Sequence, residues 1–165
     1  MTGVDRLYLG EVLDILVANA AKVHYGQRRP MRTIDIKTRP ELLAALALSW
    51  GITIDCSESI FLAFHVGGCR SPGGPVYGYG GNGNTETFLA ALPHYGNPAD
   101  AETGGIVVFN SNLPLTKQHA AVVRHPGRDP IAFTHGAERD PRYLPLSSLQ
   151  AGFSGRTTYC SVAHL

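Results

Sequence analysis

The sequence predicts an α+β fold, with helices gathered in its first half and antiparallel strands in its second. Three observations carry this. Before residue 67 the apolar residues recur at helical spacing or run on behind helix caps. After residue 104 they come in short extended runs, Ile106-Val107-Val108-Phe109, Ala120-Ala121-Val122-Val123 and Ile131-Ala132-Phe133-Thr134. The 165 residues, 44% hydrophobic and 16% charged, suffice for one domain over 1–165 around one core, with no repeat or linker.

Taken in order, Leu9, Val12, Leu13, Leu16, Val17 and Ala20 predict a helix over 6–23, with Gly26 as a left-handed cap after His24-Tyr25. Residues 27–37 read as basic and irregular. Thr38-Arg39-Pro40-Glu41 is a helix start: Thr38 caps, Pro40 is tolerated in the first turn and Glu41 completes a capping box. The apolar run Leu42 to Trp50 follows and Gly51 stops it. Ile52-Thr53-Ile54 is extended. Asp55 then caps a third helix opened by Cys56-Ser57-Glu58. Its run Ile60 to Val66 leaves almost no polar face, which predicts burial at the domain centre. Residues 70–84 form a Gly/Asn/Tyr/Pro loop, residues 85–92 a short helix, and Thr157 to Val162 a last strand.

Composition excludes several classes. Fourteen Lys and Arg against thirteen Asp and Glu give a net charge of +1, and only Arg28-Arg29 and Arg32 group together, so no nucleic-acid partner is expected. No stretch approaches the roughly twenty apolar residues of a membrane span. Asp5, Arg6, Glu11 and Asp14 interrupt the apolar core that a signal peptide needs, so synthesis in the cytoplasm is expected. No cofactor is expected. The loop from Gly73 to Gly80 lacks the Lys and the preceding strand of a phosphate loop. The Cys and His spacings fit no standard zinc pattern.

The three cysteines, Cys56, Cys69 and Cys160, form no CxxC pair and leave an odd thiol. Cys56 is the first residue of its expected helix, beside unpaired backbone N–H groups and the positive end of the dipole. Both favour thiolate and predict a lowered thiol pKa. A buried, inert thiol is the competing reading. Among the seven histidines, His119 and His135 lie equally far before and after Gly127, in the turn His125-Pro126-Gly127-Arg128-Asp129. In an antiparallel hairpin centred there they would be cross-strand neighbours on one face, one orienting the other. The competing reading is two unrelated histidines at strand ends.

At these residues the chain resembles the NlpC-type superfamily of papain-like cell-wall cysteine peptidases, in its phage-borne form. Asp55-Cys56-Ser57 at a helix start is similar to the family's nucleophile motif. Gly104-Gly105-Ile106-Val107-Val108-Phe109 resembles the strand before its catalytic histidine, and Gln118-His119-Ala120-Ala121-Val122-Val123 the strand that carries it. Thr134-His135-Gly136-Ala137-Glu138 resembles the segment holding the third triad residue, and His24-Tyr25-Gly26 a turn that lines the site. The chain departs from the family in having Glu58 after Asp-Cys-Ser, where Gly is usual, and Gly105 where Asp is usual.

The resemblance implies a papain-like fold in which the buried nucleophile helix packs on the sheet. It implies catalysis by Cys56, His119 and His135, with Tyr25, Asp55 and Ser57 around the oxyanion and substrate. The implied reaction is hydrolysis of an amide in the stem peptide of bacterial peptidoglycan, at the cell wall after release or from a virion. The alternatives are an inactive phage structural domain on the same fold, or an acyltransferase.

Overall fold

The computed structural model describes residues 1–27, 36–74, 83–136 and 139–165. Arg28, Arg29 and Arg32, Pro75 to Gly80 of the Gly/Tyr loop, and Ala137-Glu138 lie outside the described residues.

Helix α1 spans Gly3–Ala18, shifted from the predicted 6–23 at both ends. It starts earlier because Thr2 and Asp5 form a reciprocal capping box. It stops earlier because the side-chain amide of Asn19 bonds the Ile15 carbonyl at 2.9 Å, competing for the last turn. A 3-10 turn, Ala20–Lys22, leads into strand β1, Val23–Tyr25. The segment His24-Tyr25-Gly26 is therefore strand and strand end, and Gly26 caps no helix.

Helix α2 (Arg39–Ala47) carries the predicted Thr38/Glu41 capping box and ends before Trp50, which is exposed. Gly51 is required where it stands. Its φ is +59°, and a Cβ there would lie 2.0 Å from the Lys22 carbonyl oxygen. That close approach lets β2 (Ile52–Ile54) run parallel to β1, Tyr25 opposite Ile54. Helix α3 spans Cys56–Val66, and of its residues only His65 is exposed. Asp55 Oδ1 accepts from the Glu58 N–H at 2.8 Å, which is one half of the expected capping box.

Helix α4 (Thr85–Ala91) precedes a six-stranded antiparallel sheet of order β3-β8-β4-β5-β6-β7. The strands are β3 (His94–Tyr95), β4 (Ile106–Phe109), β5 (His119–His125), β6 (Ile131–Gly136), β7 (Arg139–Pro145) and β8 (Thr158–Cys160). Helix α5, Leu146–Gln150, follows β7. Strand β4 is buried along its whole length, as a central strand should be. Strand β7 contains Pro141 and Pro145, and a sheet edge is where a strand tolerates residues without an N–H.

The mixed α+β class expected from sequence is what the chain adopts. One face of the sheet carries the larger core, in which α1 and α3 pack on Ile106, Val108, Ala120, Val122 and Phe133. Burying side chains such as Phe61, Phe64 and Phe88 there contributes about 1.5–3 kcal/mol each. The opposite face carries a smaller cluster, Val107, Phe109, Ala121, Val123 and Ala132 against Leu146 and Leu149.

Candidate active site

Two separate links bring a cysteine and a tyrosine together. Capping by Asp55 fixes Cys56 at the first position of α3, and the parallel β1–β2 pair sets Tyr25 beside the end of β2. The Tyr25 hydroxyl and the backbone N–H groups of Ser57 and Ala120 face the Cys56 sulfur and favour its thiolate. The Gln27 amide donates to the Tyr25 oxygen at 3.2 Å. Ser57 Oγ donates to Asp55 Oδ1 at 2.7 Å, so Asp55 receives both a backbone and a hydroxyl donor. Residues Cys56, Asp55, Ser57 and Gln27, with Asn84, Thr85, Thr116 and Gln118 across from them, line a cleft of about 170 Å³.

The thiol is not lowered as its helix position predicts. Burial first, then the charge of Asp55, push it up to about 11, and the hydrogen bonds offset only part of this. Cys56 is 6% exposed. Tyr25 is likewise raised to about 12 by burial and by Cys56, so its hydroxyl stays a donor.

His119 opens β5, one residue before the Ala120 N–H that meets the sulfur. A braced loop delivers it. Asn110, at φ 55°, uses its side chain to hold the Lys117 carbonyl at 2.9 Å and the Gly155 N–H at 2.7 Å. Gln118 accepts from Thr85 Oγ1 of α4 at 2.6 Å and donates to the Leu113 carbonyl. The His119 ring stacks on Phe153 at 5.5 Å and Phe109 at 6.2 Å. Its Nε2 is 2.7 Å from Thr134 Oγ1, and its Nδ1 makes no hydrogen bond among the described residues. Burial first, then His135, lower this imidazole to about 4.

The expected cross-strand pairing of His119 with His135 does not form. The register sets Ala121 opposite Thr134, and a bulge between Val123 and His125 takes up the difference from the turn. Continued along β5, that register brings His119 opposite Gly136, where a Cβ would touch the His119 ring at 3.6 Å. Because side chains alternate, a one-residue offset sends the two imidazoles to opposite faces. His119 lies with Phe109 and Thr134 on the α5 side. His135 is buried on the α3 side, its Nδ1 3.0 Å from Ser59 Oγ and its ring edge-on to Tyr25 at 5.4 Å. The residue that the structure gives His119 is thus Thr134, which the sequence reading passed over.

All three cysteines are free thiols, and no cluster of His, Cys, Asp or Glu among the described residues has the arrangement to hold a metal ion. No helix among the described residues is long and apolar enough to cross a membrane. Comparison with family models, curated proteins and solved structures finds no match to this chain.

Proposed function

We propose that the chain is a papain-like cysteine hydrolase that cleaves an amide in the stem peptide of bacterial peptidoglycan, with Cys56 as nucleophile and His119 as general base. The observation that carries this reading is the meeting of α3 and β5 at one sulfur. Cys56 Sγ at the helix start faces the backbone N–H of Ala120, and His119, the residue before it, lines the adjoining cavity that shares Gln27, Thr116 and Gln118 with the thiol's cleft. The substrate class rests on the resemblance of the Asp55-Cys56-Ser57 and Gln118-His119-Ala120 segments to the NlpC-type family.

In the resting site both groups are neutral, since the thiol lies near 11 and the imidazole near 4. Proton transfer therefore accompanies attack. Thr134 Oγ1 accepts from His119 Nε2–H, which leaves the Nδ1 lone pair to take the thiol proton. Cys56 sulfur adds to the amide carbonyl. The unpaired N–H of Cys56 at the first helical position and the Tyr25 hydroxyl stabilise the oxyanion. His119 then protonates the leaving amine, and the C–N bond breaks to leave a thioester. Water attacks the thioester with His119 again as base, releasing the acid and the thiol. His135 takes a different part from the one expected of it: it supports Tyr25 and Ser59 behind the nucleophile.

The test is mass spectrometry of products from a defined muropeptide panel. Wild type should yield fragments that together gain one water, and Cys56→Ala should yield none. Equal cleavage by both chains would sink the cysteine mechanism. Products joined to an added amine in place of water would move the chain to acyl transfer. A second reading, an inactive module on the same fold, is favoured by the burial of Cys56 and the neutral resting groups. Absence of cleavage across the whole panel by wild type selects it.

A further inference from the structure

Behind the His119 ring lies a second cavity, of about 370 Å³, to which the mechanism above assigns no task. It is continuous with the Cys56 cleft in its lining, since Gln27, Thr116 and Gln118 border both. A substrate over the thiol that passes this shared border enters it. One side is apolar, with Phe153 and Leu144. The other carries three cations, Lys117 at the approach to β5 and Arg139 and Arg142 on β7, against Asp140 as the acid among the described lining residues. None of the three cations forms an ion pair among the described residues. Arg142 Nε is buried with no hydrogen-bond partner. A buried donor left unmade costs free energy, and a ligand that supplies the acceptor recovers it. A planar guanidinium presents parallel N–H groups that fit the two oxygens of a carboxylate.

We propose that this cavity is a carboxylate-binding subsite in which Arg142, supported by Arg139 and Lys117, holds a free carboxylate of the peptide substrate beside the scissile amide. This rests on the hydrolase reading for the word substrate, but the binding itself does not need turnover. The subsite selects peptides with an acidic group next to the cleaved bond, and its cations draw the anionic ligand in from solution. Neutralising that one carboxylate should then cost affinity without altering the shape of the ligand.

The experiment uses the full chain carrying Cys56→Ala, so that binding is read without cleavage. Two synthetic tripeptides, L-Ala-γ-D-Glu-L-Lys with its glutamyl α-carboxyl free and the same peptide with that group as carboxamide, are titrated by calorimetry. The acid should bind about tenfold or more tightly than the amide, the size of one charge-assisted hydrogen bond. Adding Arg142→Gln should erase the preference. Arg156→Gln, in a separate cavity beside Tyr159, should keep it. Circular dichroism and the urea midpoint check that each variant is folded, and Arg139→Gln, on an exposed position, serves if Arg142→Gln is not. Equal affinity for acid and amide, a preference that survives both arginine substitutions, or no binding of either peptide overturns the subsite. Cleavage of the muropeptide panel by wild type with no acid preference overturns it while leaving the hydrolase reading intact. An Arg142-dependent preference in a chain that cleaves nothing does the reverse.

Discussion

The two faces of the central sheet treat the same side chain differently. On the α3 face an imidazole, His135, is buried among the helix and Tyr25 and bonds a serine. On the α5 face an imidazole, His119, lies in an aromatic stack at the wall of the larger cavity, with one ring nitrogen held and the other open. One strand step separates the two environments. The comparison teaches that position in register, more than residue type, decides whether an imidazole is sealed in the core or set at a cavity wall.

The sharpest way to break this comparison is to remove each ring in turn. His119→Ala should lower kcat by about a thousandfold, the scale of losing a general base, with the fold retained. His135→Ala should act chiefly on stability, read by urea denaturation. Equal losses of kcat in the two variants, both folded, would erase the distinction. The pH profile sharpens it: with His119 near 4 and Cys56 near 11, kcat/KM should show no break near 6.5.

Stability against pH comes next in size. Burial lowers His135 from 6.5 to about 4, with Asp55 and Asp140 opposing and His24 adding to the shift. The unfolded chain takes up its proton near 6.5 while the folded one waits until about 4. The contribution is therefore complete above 6.5 and is lost as pH falls from there to 4, up to about 3 kcal/mol. Urea midpoints at pH 7, 5.5 and 4.5 should decline in that order, and His135→Gln should make the decline shallower while His119, also lowered to about 4, keeps its own share. A midpoint independent of pH would contradict the burial of a neutral ring.

Thr134→Val tests the hydroxyl that holds His119. Its loss should cost about tenfold in kcat with KM nearly unchanged, as expected for about 1–1.5 kcal/mol of positioning. Thr134→Ser should restore most of the rate. The smallest effect lies at the rim of the α3 face, where Asp14 of α1 accepts from Arg124 at 2.9 Å and from Tyr143. Asp14→Asn should lower stability by only about 0.5 kcal/mol in denaturant titrations, because the Asp14 carboxylate is half exposed.

Much of this was legible in the residues, for reasons that also explain the rest. Helices α2 and α3 announce themselves through Thr38-Arg39-Pro40-Glu41 and Asp55-Cys56, because caps are local chemistry. Strands β4, β5 and β6 show as β-branched and aromatic runs. Strand β1 is invisible because its partner, β2, is far along the chain and the Val23-His24-Tyr25 segment has no pattern of its own. Strand β7 goes unpredicted because Arg139-Asp140-Pro141-Arg142 obeys the needs of a sheet edge and shows no apolar alternation. The bulge at Val123–His125 leaves no mark in composition, yet it moves His119 from His135 to Thr134. The burial that lifts the Cys56 thiol comes from elements remote in sequence, whereas the helix dipole that was expected to lower it is local. Thr134 carried one usable signal, its place two strand steps from Gly136, and it needed the register first.

The seclusion of Cys56 has a consequence for chemical labelling. A thiol near 11 and almost wholly covered reacts with iodoacetamide only through the fleeting thiolate of an opened site. Its alkylation rate is then a clock for the separation of Tyr25 and β1 from the start of α3. Slow labelling would report a well-held cleft, and a ligand that seats against Tyr25 would slow the clock further.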